Sequence, residues 1–181
     1  MRRQFYDDGA NFEHSTHYHE LGCEMAVAYV LLSRRNDIEP AADIVERLKR
    51  MLAFQAALSG PEAVPLPIGD STEDPLFPLD TGRGWAAGAM RELYRALFDA
   101  GIDAAPASDL TVERAWWLLG GALAAPPPSP AAALPTVFEQ GGFYILPDVS
   151  RRARLVFRSG PVEDVPISAG HAHADLLSVY L

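Results

Sequence analysis

Five histidines, the side chains best suited to moving protons near neutral pH, occupy two short stretches of the chain. Three lie in FEHSTHYHE, residues 12–20, together with one tyrosine and two glutamates. The other two, His171 and His173, lie in GHAHAD near the far end. Such groups serve as general acids, general bases or metal ligands, and they act together only if the fold joins the two stretches.

In the first stretch, His14 and Tyr18 are four residues apart and share a helix face if the helix begins by His14. Asn11 and Glu13 come just before this helix and are placed to reach over its N-terminal end. The exposed N–H groups of a helix start favour an anionic ligand. The alternative is a polar helix start with solvated histidines.

Two further stretches carry candidate binding residues. His171 and His173 alternate, so on a strand they point to one face and form half of a metal site, or else they are a charged strand end. The stretch IGDSTEDPLFPLDTGR holds several acids, among them Asp70, and ends at Arg83, which could hold a carboxylate. Its alternative is a solvated acidic loop.

Helical and strand-like segments are segregated along the sequence. Apolar spacing, with Ser15 or Thr16 as a cap and Gly60-Pro61 as a stop, predicts helices over 15–35, 43–59, 83–100 and 109–123. Residues 60–82 read as a long loop. The sequence predicts an α+β chain with a helical domain at 1–123, a proline-rich linker at 124–135 and an antiparallel sheet at 136–181.

Composition excludes several classes of protein. A net charge of -9 over 181 residues argues against nucleic acid as a partner. No apolar run is long enough to cross a membrane, and the first residues do not form a signal peptide. The single cysteine, Cys23, allows no internal disulfide and is expected to be buried and inert. The oligomeric state is not predicted.

Several motifs together resemble the heparinase II/III-like polysaccharide lyases, a group that includes alginate lyases. They are DGANFEHSTHYHELGCEM, then IGDS with its acidic stretch and GR, then FEQGGFYIL, RARLVFRSGP and GHAHADLLSVYL. The resemblance implies the C-terminal helices of an (α/α) toroid followed by the first strands of an antiparallel β-sandwich domain, within a longer protein. It implies β-elimination on a uronate-containing acidic polysaccharide by a periplasmic or secreted bacterial enzyme.

The resemblance also implies roles for individual residues. His171 corresponds to the family's catalytic-groove histidine, and His173 to a ligand of a structural zinc whose other ligands would lie beyond Leu181. Proton transfer is expected from His14 and His171, with Tyr18 as a further catalytic candidate. The residues expected to bind substrate are Asn11, Glu13, Asp70 and Arg83. The family's acid–base tyrosine is expected in PIGDSTED, which contains none.

Two other functions fit the same residues. One is a metal-dependent glycan hydrolase with the histidines and Asp70 around a catalytic ion. The other is a non-catalytic carbohydrate-binding or structural member of the same fold.

Overall fold

Helices precede strands along the chain, as the sequence predicts. The computed structural model describes residues 3–60, 66–70, 75–79, 87–98, 109–121, 133–147, 154–160 and 178–180. Within these ranges lie the helices α1 (Thr16–Arg35), α2 (Ala42–Ser59), α3 (Ala87–Phe98) and α4 (Asp109–Leu118), and the strands β1 (Val137–Phe138), β2 (Phe143–Pro147), β3 (Arg154–Arg158) and β4 (Ser178–Tyr180). The predicted combination of helices and an antiparallel sheet is confirmed.

Helix α1 begins where its cap residue predicts. The Ser15 hydroxyl accepts a hydrogen bond from the Tyr18 N–H at 3.2 Å, which satisfies one of the unpaired donors of the first turn. Arg34 and Arg35 occupy the last turn, where positive charge complements the helix dipole.

The apolar residues that recur at helical spacing in the sequence of α1 lie mainly away from the core; they are Tyr18, Leu21, Met25, Ala28 and Leu32. Met25 and Leu32 are 56% and 59% exposed. The buried apolar residues of this helix are instead Cys23, Ala26, Val27 and Val30. The predicted burial of Cys23 is confirmed, and burial, followed by the charges of Glu20 and Glu24, raises the pKa of its thiol.

The buried side of α1 also carries His19, which joins this helix to α2. Its Nε2 donates to the Met51 carbonyl at 3.1 Å, and its ring meets the Phe54 ring edge-on at 4.8 Å between centroids. Burial lowers the pKa of His19 to about 4, although the Met51 hydrogen bond acts in the opposite direction. His19 is therefore a neutral structural residue at pH 7.

This burial predicts a loss of stability in mild acid. Above pH 6.5, His19 is neutral in both the folded and unfolded chain, and its contribution to stability is complete. As the pH falls from 6.5 to 4, His19 binds a proton in the unfolded chain but not in the folded chain. This difference lowers the free energy of unfolding by about 3 kcal/mol. Chemical denaturation at several pH values gives the free energy of unfolding as a function of pH. Between pH 4 and 6.5 the slope of this free energy against pH should be smaller in His19→Gln than in the wild type, and glutamine keeps a donor for the Met51 carbonyl. An equal slope in both proteins would contradict this assignment.

Helix α2 lies between the other helices and the sheet. Every residue from 51 to 59 is buried, as expected for a helix covered on all sides. Leu48, Met51 and Leu52 belong to the hydrophobic cluster shared with α1, α3 and α4. Phe54, Ala57 and Leu58 belong to a second cluster, which is completed by the sheet residues Phe138, Phe143, Ile145 and Val156.

The sheet is an antiparallel meander in the order β1-β2-β3-β4. Its side chains alternate in the manner of a sheet with one covered face: Phe143 and Ile145 are buried, whereas Leu146 is 58% exposed. Phe143 lies directly opposite Arg158 in the β2–β3 register. This pairing places an arginine on the covered face, next to the aromatic residues that meet α2.

The segments predicted as loop and linker are described only in part. Residues 66–70 and 75–79 form neither helix nor strand, in agreement with the predicted loop. Most of the proline-rich stretch lies outside the described residues, and the domain boundaries stay predictions. Among the helices described above, none is long and apolar enough to span a membrane.

Candidate active site

A tight turn at residues 5–11 leads the chain into the first histidine cluster. The Tyr6 N–H donates to the Ala10 carbonyl at 2.9 Å, and Phe5 and Asn11 form a β-bridge. Gly9 has φ +96, and a Cβ at this position would lie 2.3 Å from the Arg50 carbonyl oxygen. Only glycine fits there, so the sequence DGAN fixes the turn against α2.

This turn is also tied to the sheet. The Asp7 N–H donates to Gln140 Oε1 at 2.7 Å, and the Gly141 N–H donates to Asp8 Oδ2 at 2.9 Å. Both contacts reach the β1–β2 turn, so one short segment is held by the helices on one side and by the sheet on the other. Residues 11–14, which follow it, therefore lie at the junction of the two parts.

Asn11 shapes the backbone at this junction. Its Oδ1 accepts a hydrogen bond from the Glu13 N–H at 2.6 Å, and its carbonyl accepts one from the His14 N–H at 3.2 Å. His14 has φ +53, in the left-handed region that residues other than glycine, asparagine and aspartate seldom adopt. Because α1 begins only at Thr16, the condition for His14 and Tyr18 to share a helix face is not met.

His14 is buried against the sheet, with 2% of its surface exposed. Arg158 Nη2 donates to His14 Nδ1 at 2.7 Å, across 144 residues of sequence. The ring of Tyr6 stacks at 6.1 Å between centroids, and Phe143 approaches edge-on at 6.5 Å. The histidine of the helical part is thus held by an arginine of the sheet.

The surroundings of His14 keep its ring neutral. Burial, followed by the positive charge of Arg158, lowers the pKa of His14 to about 4. No described residue hydrogen-bonds to its Nε2, although this nitrogen is buried. A buried polar group without a partner costs about 1–3 kcal/mol, so an acceptor brought by a ligand would be stabilising here. The arrangement is suited to donating a hydrogen bond from Nε2.

The acidic stretch IGDSTEDPLFPLDTGR, the candidate binding loop, begins beside the start of α1. The Ser15 hydroxyl donates to the Asp70 carbonyl at 2.7 Å. The Thr16 N–H donates to the Ile68 carbonyl at 3.0 Å, and its hydroxyl donates to the Leu66 carbonyl at 2.8 Å. These bonds place Asp70, whose side chain is exposed, next to the residue that follows His14.

Further along α1, a buried carboxylate holds the next part of the same loop. Glu24 is fully buried, and its Oε2 accepts the Leu76 N–H at 2.7 Å and the Phe77 N–H at 3.3 Å. Its Oε1 pairs with Arg114 of α4 at 2.7 Å, and Glu20 lies 3.6 Å from the same guanidinium. The loop is therefore attached to α1 on both sides of residues 71–74.

The structure gathers part of the predicted site. The junction holds Asn11, Glu13 and His14. Tyr18 lies in the first turn of α1, and the Asp70 carbonyl accepts a hydrogen bond from the Ser15 hydroxyl. Arg83, His171 and His173 fall outside the described residues, and their roles stay predictions. The described side chains contain no group of three or more His, Cys, Asp or Glu placed to hold a metal ion.

Sequence reasoning missed Arg158. It stands in RARLVFRSGP, and strand alternation does place it on the same face as Val156. Nothing in that stretch indicates that its partner is a histidine near the start of the chain, since the contact depends on how the turn at 5–11 meets the sheet.

The helices share a hydrophobic interior with an antiparallel sheet, which defines an α+β protein. Its candidate site lies at the polar junction between the helices and the sheet. Residues 1–78 match the sequence model described as the heparinase II/III N-terminus. This match covers 78 of the 181 residues, and it agrees with the resemblance to the heparinase II/III-like polysaccharide lyases seen in DGANFEHSTHYHELGCEM. Comparison with curated protein sequences gave no match.

Two solved structures of a heparinase III gene product resemble this fold. The first, with methylated lysines, has a TM-score of 0.58 at 17% identity and covers 98% of this chain. The second has a TM-score of 0.52 at 17% identity and covers 87% of this chain. The chain spans 24% and 22% of the length of those two proteins. At this identity the likeness concerns the fold.

Proposed function

We propose that this protein is a polysaccharide lyase that cleaves a uronate-containing acidic polysaccharide by β-elimination. The observation that carries the proposal is the buried, neutral His14 at the junction of helices and sheet, whose Nε2 has no partner among the described residues. The match of residues 1–78 to the heparinase II/III N-terminal model supports the same reaction class. Because the net charge is -9, an acidic polymer requires a local site of this kind, which offers donors and an arginine charge.

His14 and Arg158 suit the charge that develops in this reaction. Removal of the C5 proton of a uronate pushes electron density onto the carboxylate, and fixed donors aimed at that charge lower the barrier. His14 Nε2 supplies such a donor, and the Arg158 guanidinium, bonded to Nδ1 of the same ring, supplies a nearby positive charge. The geometry favours hydrogen-bond donation by His14 over the proton transfer that the sequence predicts.

The proton transfers then require other groups. A base takes the C5 proton, the C4–O bond to the leaving sugar breaks as the C4–C5 double bond forms, and an acid protonates the departing oxygen. We assign these steps to Tyr18 and His171. Tyr18 lies half-buried in the first turn of α1, three residues from the cap that fixes this turn.

Substrate binding is proposed for the residues around this centre. The Oδ1 of Asn11 accepts the Glu13 N–H, so the Nδ2 donors of Asn11 are the groups proposed to bind substrate. Asp70 and Glu13 are proposed to accept hydrogen bonds from sugar hydroxyls, and Arg83 to pair with a second carboxylate.

The remaining family features are also proposals for this chain. They are an (α/α) toroid closed by the four helices, a β-sandwich begun by the four strands, and secretion or export to the periplasm. His173 is proposed as a ligand of a structural zinc. The described residues contain no group of three or more His, Cys, Asp or Glu that could hold this ion, and no reaction step depends on it.

A substrate screen tests the proposed function. The full-length protein is incubated with alginate, a glycosaminoglycan and a neutral glucan, and the unsaturated product is followed by its ultraviolet absorbance. The lyase proposal expects product from an acidic polymer, none from the glucan, and no effect of a chelator on the chemical step. Cleavage without an unsaturated end that a chelator abolishes would indicate a metal-dependent hydrolase. Binding without cleavage would indicate a non-catalytic member of the fold.

A further inference from the structure

We propose that Arg158 is a positioning residue that locks His14 in the neutral tautomer with its proton on Nε2. The inference rests on the proposed function for its catalytic meaning, but the tautomer itself is a property of the folded chain. It adds a residue of β3 to the described part of the site, which otherwise comes from the turn at 5–11, the start of α1 and Asp70.

The direction of the hydrogen bond fixes the tautomer. An arginine side chain has only donors and stays protonated in proteins, so Nδ1 of His14 must act as the acceptor in the 2.7 Å contact. A neutral imidazole with an unprotonated Nδ1 carries its proton on Nε2. His14 therefore presents an N–H on the side of the ring away from Arg158.

Arg158 is itself held rigidly. It is 2% exposed, it occupies the last position of β3, and it pairs in register with Phe143 of β2. Its guanidinium carbon lies 6.0 Å from the centroid of the Phe143 ring, and the same ring meets His14 edge-on. Phe143 thus packs against both partners, and the arginine has little freedom to leave Nδ1.

The positive charge of Arg158 acts on His14 in the same sense as burial. Of the described groups, Arg158 faces its ring from the sheet and Tyr6 stacks on it from the turn, while Glu13 precedes it in the chain and Asp70 lies across Ser15. Burial and the Arg158 charge are the causes that lower the pKa of the ring. Protonation of Nδ1 would break the hydrogen bond and place two cations side by side, so His14 remains a donor through the neutral range.

Nitrogen NMR of the imidazole rings tests this directly. The full-length protein is labelled with ¹⁵N-histidine, and the His14 signals are assigned by their loss in His14→Asn. The wild type should show a protonated Nε2 and an unprotonated Nδ1 from pH 5 to 8. Arg158→Met should show a mixture of tautomers, with the His14 pKa raised from about 4 but kept below 6.5 because burial is the larger cause.

Two further variants separate the hydrogen bond from the charge. Arg158→Gln keeps a donor without the charge, so it should retain the Nε2 tautomer while the pKa of His14 rises. If the Met variant does not fold, the wild-type tautomer and this rise in the Gln variant are the tests, and an unchanged pKa would overturn the proposal. Arg154→Met, on the same strand and by alternation the same face, is the matched control and should leave the His14 signals unchanged.

The readout does not require turnover, so the two proposals fail separately. A wild-type His14 protonated on Nδ1, or tautomers unaffected by Arg158→Met, would overturn the positioning role even in an active lyase. A fixed tautomer in a protein that forms no unsaturated product would overturn the lyase function alone. In an active enzyme, Arg158→Met should also add an ionisation of His14 to the pH profile of kcat/KM.

Discussion

Replacing His14 by asparagine should lower kcat/KM on the proposed uronate-containing substrate by about 100-fold or more, the usual effect of losing one donor to a developing oxyanion. Asparagine tolerates the left-handed backbone at φ +53, and its Oδ1 can still accept the Arg158 hydrogen bond. It ends short of Nε2, so the variant removes that donor and keeps the local fold. The measurement is initial rate against substrate concentration in the full-length protein.

A longer amide provides the matched comparison. In His14→Gln, the side-chain amide reaches the position of Nε2 and should recover part of the lost kcat/KM. His19→Gln, in the core between α1 and α2, is the control and should leave kcat/KM within a few-fold of wild type. Activity of His14→Asn close to wild type would remove His14 from the mechanism. An equal loss in His19→Gln would indicate that the effect comes from folding.

Replacing Arg114 by methionine should destabilise the chain by about 3–5 kcal/mol, the range for breaking a buried ion pair on one side. Arg114 is 2% exposed and pairs with the fully buried Glu24 at 2.7 Å, with Glu20 close by. The substitution leaves a carboxylate in the interior without the cation that the described residues provide. Chemical denaturation at pH 7 measures the change.

Two controls distinguish the buried pair from charge in general. Replacing Glu46, which forms an exposed pair with Arg50, by glutamine should change stability by no more than about 0.5 kcal/mol and leaves the Arg50 hydrogen bond to the Asp7 carbonyl in place. Adding Glu24→Gln to Arg114→Met should recover part of the loss, since the amide needs no counter-charge and still offers an oxygen to the N–H groups of Leu76 and Phe77. If the double variant is less stable than Arg114→Met, the unpaired carboxylate is not the cause.

The secondary structure follows from signals local in the sequence. Ser15 as a cap, Gly60 as a stop, and the Val-, Phe-, Tyr- and Leu-rich runs that Gly and Pro interrupt each act through a few neighbouring residues, so pattern reading locates the elements. The resemblance in DGANFEHSTHYHE likewise agrees with the family found by comparison.

The buried face of α1 illustrates what pattern reading cannot supply. Periodicity marks Met25 and Leu32, yet both are exposed, whereas the polar residues His19 and Glu24 are buried. They are tolerated inside because Met51, the 76–77 backbone and Arg114 satisfy them, and each of these partners comes from another element. The Arg158 contact to His14 is beyond local inference for the same reason.

The position of α2 between two hydrophobic clusters has a consequence for cooperativity. In α2, Phe54 packs against the sheet residues Phe138 and Phe143. Met51, three residues earlier in the same helix, packs among the helices. Melting this one helix would expose both interiors at once. The helical and strand-rich parts, although separated in sequence by the proline-rich stretch, should therefore unfold in a single transition, and a proteolytic nick within that stretch should leave the two pieces associated.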